Sequence, residues 1–427
     1  MPVIEHDILG RLDSGALGEL DHRKELLMPS YDGYGMVNLT PTVAHWLGAG
    51  QLPAPIFGNA ILDQFQERYQ NVVVILVDAL GYNQFRRLME EGRAPLWKAQ
   101  LEKGKLFPIT SISPSTTASA LTTLWTGSAP NQHGVIGYEM WHKELGLVMN
   151  NILHTPITYK GDVGGLSRAG FEPTRFMNQA TLGQRFSSHG VESHAFLPVS
   201  IANSGLSQMH LPGSTLHAFS VESDLFLNMR DLLNQPSKRR RYLYAYWSDV
   251  DSLMHRYGTY NERVTEQFFD FSNALFRLLV GGLDASVRQN SLILLTADHG
   301  SVETPVNEGY NLMKHPELTR MLTLPPTCEG RLPFLYVKQG LIEAVKAYFE
   351  HSWPGEFEFL TREQVLEMKL LGNGQDHPDL EDRIGDLVVI PLGSSYLWWP
   401  DRPNTMQGRH GGLHVDEMLV PLFSIGL

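Results

Sequence analysis

The segment that most constrains this chain is VVVILVDALG, Val72 to Gly81. Its apolar part is unbroken and rich in β-branched residues, so it has no polar face to offer water. A strand of this kind is stable when helices cover both of its faces, as in a parallel sheet. A helical stretch, Tyr82 to Glu91, follows at once. The signal recurs at His194 to Val199, Tyr242 to Trp247 and Ser291 to Thr296, the last ending beside Asp298. Between them lie helical patterns such as Glu262 to Leu279. This alternation predicts an α/β fold with a largely parallel central sheet flanked by helices. In such sheets ligands bind beyond the carboxyl ends of the strands, so acids at those ends are where a metal site would be built.

Other features set limits. A formal charge of -12 argues against a protein that holds nucleic-acid duplexes by neutralising phosphates. The basic run Lys238 to Arg241 reads as a solvated loop or strand edge. Cys328 is the one cysteine, which excludes an intrachain disulfide and fits a reducing compartment. The opening MPVIEHDILGRLDSG lacks the basic and apolar regions of a signal peptide. No apolar stretch approaches the roughly 18 to 20 residues of a membrane span. The expected address is the cytoplasm, with no membrane partner. Residues 1–50 are rich in turns and end in a helix. Residues 301–397 are more mixed and are broken at Pro325-Pro326 and near Pro378. They read equally as a small subdomain or as an extension of the sheet.

Five segments carry candidate chemistry. LVDALG places Asp78 at a strand terminus, where a helix cap is the commoner role. In SPSTTASALTTLWTG, Thr116 and Thr117 open a short helix. A hydroxyl there is often a cap, but it also faces the positive end of the helix dipole, a natural phosphate site. In YWSDVDSLMHRYG, Asp251 and His255 are four apart and share a helix face, with Asp249 a competing ligand at poorer spacing. LLTADHGS sets Asp298 and His299 side by side at a strand end, and GRHGG offers His410 among glycines. Three Asp, three His and one Thr form the mixed N and O donor set that two divalent ions need, and zinc suits it.

Taken in this order, the segments resemble those of the alkaline phosphatase superfamily, most closely its type I phosphodiesterase and nucleotide pyrophosphatase branch. The resemblance covers residues 72 to 424 and includes PNQHGVIGY, Asp-x3-His, Asp-His-Gly and Gly-x-His-Gly. It implies one alkaline phosphatase-like catalytic domain over residues 1–427. In that family the hydroxyl nine residues before the Thr-Gly is the nucleophile, which here is Thr117. Asp78, Asp298, His299 and the Thr117 oxygen would hold one metal, and Asp251, His255 and His410 the other. His410 is preferred to His414 because it fills the Gly-x-His-Gly position. One position departs from the pattern: Tyr138 stands where nucleotide-hydrolysing members usually carry an Asn that donates to a phosphoryl oxygen.

The resemblance implies a metal-dependent phosphodiesterase or nucleotide pyrophosphatase working through a phospho-threonine, on a small phosphate ester such as a nucleotide. The alternatives are a phosphomonoesterase or phosphonate hydrolase of the same superfamily, and a non-catalytic binding protein on the same fold. Sulfatases use a modified Cys or Ser, whereas a Thr stands here. Metal-dependent phosphoglycerate mutases use a Ser and a large inserted domain. Trp141 and Tyr138 are the aromatics expected near the site.

Overall fold

The computed structural model describes residues 3–13, 20, 23, 25–158 and 165–427. At its centre is a seven-stranded sheet. Its order across the sheet is Lys105–Thr110, Leu419–Ile425, Ser291–Thr296, Asn71–Val77, Arg241–Trp247, Glu192–Pro198 and Thr215–Phe219. The last five pair in parallel, whereas Leu419–Ile425 runs antiparallel to both of its neighbours. All seven residues of the Asn71–Val77 strand are buried, as an unbroken apolar run requires.

Helices cover both faces, and the Arg241–Trp247 strand shows how. Tyr242 and Tyr244 meet Trp125 of the Thr117–Thr126 helix, at ring centroids 6.5 and 5.2 Å apart. On the opposite face Trp247 stacks on Phe271 of the Glu262–Ala274 helix at 4.1 Å. That helix runs on into a π-helical turn, Leu275–Leu279, so the predicted span is one continuous rod of two geometries. The predicted helix after the first strand forms at Tyr82–Glu90.

The basic run is a solvated loop except at its end. Lys238 and Arg239 are exposed, but Arg241 begins a central strand and is buried. Its guanidinium donates to Asn71 Oδ1 at 2.9 Å and to the carbonyls of Leu233 and Gln235 at 2.9 and 3.1 Å. Saturation by these acceptors is what lets a cation leave water here.

A second, antiparallel sheet has the order Phe357–Thr361, Leu387–Pro391, Leu332–Leu335, Thr327–Glu329, Glu139–His142, Leu147–Asn150 and Thr155–Pro156. Strands within residues 327–391 thus pair with each other and, through the Cys328–Glu139 register, with residues 139–156, not with the central sheet. This sheet has its own apolar cluster, in which Phe349 of the Ile342–Ser352 helix meets Trp353 and Phe357. Among the described residues no helix is long and apolar enough to cross a membrane.

Candidate active site

Three parallel strands end level. Val77 lies opposite Trp247 and Leu76 opposite Thr296, so the residues that follow each strand converge. Asp78 extends the ladder by donating its N–H to the Trp247 carbonyl at 2.9 Å. Asp298 follows the neighbouring strand, and its Oδ1 accepts the N–H groups of Ala79 and His299 at 3.2 and 3.1 Å. Gly300 is required here: a Cβ on it would lie 1.9 Å from the Asp416 carbonyl oxygen and 2.9 Å from Gly81 Cα. Asp251 sits in the first turn of the Asp249–Tyr257 helix, which begins just past the third strand, with His255 one turn on. His410 follows the short strand Gly408–Arg409, which pairs with Val302–Glu303.

These residues form two groups, Asp78/Asp298/His299 and Asp251/His255/His410, each with its ligand atoms within 4.8 Å of one another. In the first, His299 Nε2 lies 3.4 Å from an oxygen of each aspartate. In the second, Asp251 Oδ1 lies 3.2 Å from His255 Nε2 and 3.8 Å from His410 Nε2. The two groups adjoin, with the His299 and His410 rings stacked at 3.7 Å.

The protonation pattern of the three imidazoles is fixed by their surroundings. His255, His299 and His410 turn Nδ1 toward the carbonyls of Gly408, Gly300 and Ser115, at 2.8, 2.9 and 3.1 Å. A carbonyl only accepts, so Nδ1 carries the proton and Nε2 presents a lone pair. That lone pair faces carboxylate oxygens. Asp78 Oδ1, Asp298 Oδ2 and Asp251 Oδ1 are buried without any hydrogen-bond partner. Acceptor facing acceptor in a dry site is costly unless a cation lies between them. The donor set therefore fits a divalent ion at each group, with carbonyls orienting the imidazoles as outer partners of metal-bound histidines do.

The titration directions agree. Burial, then the charges of Asp298 and Asp251, hold the Asp78 carboxyl well above its usual range, while the Tyr246 hydroxyl donates to its other oxygen and opposes the rise. Burial, then His299 and His255, push His410 far below the usual imidazole range. A bound cation reverses the first effect and suits the neutral imidazole of the second.

Thr117 is the first residue of its helix, and its Oγ1 lies 3.2 Å from His299 Nε2. Neither threonine caps the helix with its side chain: the Thr116 hydroxyl donates instead to Glu329. Tyr138 lies between the PNQHG turn and the Glu139–His142 strand, half-buried, and burial raises its hydroxyl above the usual phenol range. A cleft of about 380 Å³ opens from Thr117, Asp251, His255 and His410 toward Tyr138, Trp398, Trp399 and Met406. Trp141 is not among its lining residues. Asp249 is exposed and accepts from Gln267 at 3.2 Å, away from the imidazoles. His414 caps the Val415–Met418 helix by accepting the Asp416 N–H at 3.1 Å.

Sequence reasoning did not find Tyr246, Glu329 or the two tryptophans. Tyr246 was readable only as a strand residue, although alternation with Tyr242 and Tyr244 places its hydroxyl on the helix-covered face nearest Asp78. Glu329 is half-buried in the cleft wall. Burial raises its carboxyl to about 8, assisted by the charges of Glu139, Asp251 and Glu417 and opposed by the Thr116 hydrogen bond.

A mostly parallel central sheet with two carboxylate-histidine groups at its carboxyl edge defines an α/β protein with a candidate metal centre. Residues 72–413 match the family described as type I phosphodiesterase / nucleotide pyrophosphatase, and the chain belongs to that family. No match is found among curated proteins. Murine ectonucleotide pyrophosphatase / phosphodiesterase 5 is similar in structure, with a TM-score of 0.60 at 16% identity over 83% of this chain and 88% of that one. An inactive threonine-to-alanine variant of that protein, in complex with AMP, gives a TM-score of 0.60 at 15% identity, over 83% of this chain and 87% of that one. Phosphonoacetate hydrolase from Sinorhizobium meliloti 1021, in complex with phosphonoformate, gives 0.57 at 18% identity over 82% and 89%. At these identities the likeness speaks for the fold. Family and fold together support phosphoester hydrolysis.

Proposed function

We infer that this protein is a two-metal phosphodiesterase of the nucleotide pyrophosphatase kind, with Thr117 as nucleophile. The observation that carries the reading is the Thr117 hydroxyl, set at a helix start against the buried group and opening on the cleft beside the other. Asp78, Asp298, His299 and Thr117 would hold one divalent ion and Asp251, His255 and His410 the second, zinc being the ion this donor set suits. Such ions, when bound, make hydroxyl and water nucleophilic near neutral pH and neutralise charge on the attacking and leaving oxygens.

The chain's own groups supply the rest. Thr117 Oγ1 attacks phosphorus in line, the bond to the departing alcohol or nucleotide breaks, and a phospho-Thr117 remains. Water then attacks the same phosphorus, breaking its bond to Thr117 and restoring the hydroxyl. Free backbone N–H groups at the helix start are suited to hold the non-bridging oxygens. Tyr138 stands where an Asn is usual and offers one hydroxyl donor. The likeness to a phosphonate hydrolase keeps a phosphonate or phosphomonoester substrate as the second reading.

The test is hydrolysis of bis-p-nitrophenyl phosphate beside p-nitrophenyl phosphate, with added zinc and with a chelator. Faster, chelator-sensitive cleavage of the diester is the expected result. Faster cleavage of the monoester moves the assignment to the second reading, and activity indifferent to chelator removes both.

A further inference from the structure

Each aspartate of the buried group gives one oxygen to the protein and keeps the other bare. Tyr246 donates its hydroxyl to Asp78 Oδ2, and the N–H groups of Ala79 and His299 hold Asp298 Oδ1. Asp78 Oδ1 and Asp298 Oδ2 are left buried without a partner. Asp298 is thus restrained by backbone, whereas Asp78 is restrained by one side chain from another strand.

The strand register explains how Tyr246 reaches it. Tyr246 lies opposite Leu76, and Asp78 follows two residues later, so both side chains leave the same face of the sheet. Tyr244 points to that face too, but its buried hydroxyl has no partner among the described residues. Of the two phenols, one alone is committed to the site.

The atoms left bare are spaced for a small ion with four donors. His299 Nε2 lies 3.4 Å from Asp78 Oδ1, 3.4 Å from Asp298 Oδ2 and 3.2 Å from Thr117 Oγ1. Donors roughly 2.0 to 2.1 Å from a tetrahedral zinc stand about 3.3 Å apart. A freed Asp78 Oδ2 would add a fifth donor. Additional oxygen donors suit manganese and magnesium better than zinc.

We propose that Tyr246 selects the metal of the buried group: by holding Asp78 to a single donor oxygen, it keeps the group at four donors and reserves it for zinc over manganese. The inference rests on the two-metal reading and concerns the ion, not the ester. Tyr246 touches no reacting atom. It acts through Asp78 and is a positioning residue.

The experiment uses the full chain carrying His255→Ala, so that the first equivalent of metal goes to the buried group. Tyr246 is left intact or changed by Tyr246→Phe, which keeps the ring and removes the hydroxyl. Metal is stripped with a chelator and one equivalent of cobalt(II) is added, because cobalt absorbs visible light strongly with four donors and weakly with more. Zinc and manganese affinities are then measured by equilibrium dialysis against chelator-buffered metal. Zinc outbinds manganese at most nitrogen and oxygen sites, so the readout is the change in their ratio.

With Tyr246 intact the cobalt band should be strong. Tyr246→Phe should weaken the band and lower the zinc-over-manganese ratio by about tenfold or more, the scale of a lost outer-shell partner. Tyr244→Phe, which removes a hydroxyl from the same face, should change neither. An unchanged band and ratio in Tyr246→Phe overturns the proposal. So does an equal loss of affinity for both metals, which would make Tyr246 a general support for Asp78. Failure of the parent to bind cobalt at all overturns the two-metal reading as well, so the two failures are distinguishable.

Discussion

The two carboxylate-histidine groups are built from the same residue types but in different surroundings. Asp78, Asp298 and His299 are at most 2% exposed, set on the ends of adjacent strands with backbone N–H groups locking Asp298. Asp251, His255 and His410 are 17%, 25% and 8% exposed, drawn from a helix and a distant loop, and they face the cleft. Strand ends and backbone hydrogen bonds give a fixed, dry site. The helix and loop give a site open to the cleft. The difference teaches that this fold builds one closed and one open site from the same residue types, and Thr117 stands between them.

The largest effect expected is at Thr117. Thr117→Ala should lower turnover by about a thousandfold or more, as removal of a nucleophile does. Metal content by elemental analysis should hold at the open group and change little at the buried one. Turnover within tenfold of wild type would end the assignment.

Charge removal should then separate the groups. In metal-free protein, Asp298→Asn relieves repulsion with Asp78 where no water screens it, while the Asn oxygen can keep both backbone hydrogen bonds. Its melting temperature should rise by about 1 to 2 °C, the scale of ~1 to 2 kcal/mol in a chain of 427 residues. Asp251→Asn should give a smaller rise, because partial exposure screens its charge. Equal shifts by calorimetry would erase the contrast.

Accessibility supplies a third comparison. His255→Ala should raise the zinc concentration for half-maximal activity by at least about tenfold, more than the loss of an outer-shell partner. Added imidazole should restore part of the activity. His299→Ala should show no imidazole rescue, since its cavity is closed to solvent. The smallest effect belongs to Asp249→Asn. That exposed residue is outside the open group, and turnover should stay within about twofold, as for an ordinary surface change.

Most of the central sheet and every member of both groups could be read from the chain, because the signals are local. Asp78 closes an unbroken apolar run, Asp298 and His299 close another, and Asp251 and His255 share one helix turn. Glu329 was not legible, because its position depends on the pairing of Cys328 with Glu139, almost two hundred residues earlier in the chain. Trp398 and Trp399 reach the cleft only through the second sheet, whose strands come from widely separated stretches. Arg241 misled for the opposite reason. Its neighbours made it look solvated, and only the carbonyls of a helix end and Asn71 explain its burial.

The antiparallel strand Leu419–Ile425 also governs how the protein can be made. It follows every other strand of the sheet in the chain, yet it sits between Lys105–Thr110 and Ser291–Thr296. A nascent chain that has not yet delivered it carries an open slot flanked by two apolar strand edges. Lys105–Thr110 has no other strand to pair with in that sheet until the slot is filled. Exposed edges of this kind invite association with other chains, and distant pairings close slowly. Pairing of Leu419–Ile425 removes both edges at once, so this one strand converts an association-prone sheet into a closed one.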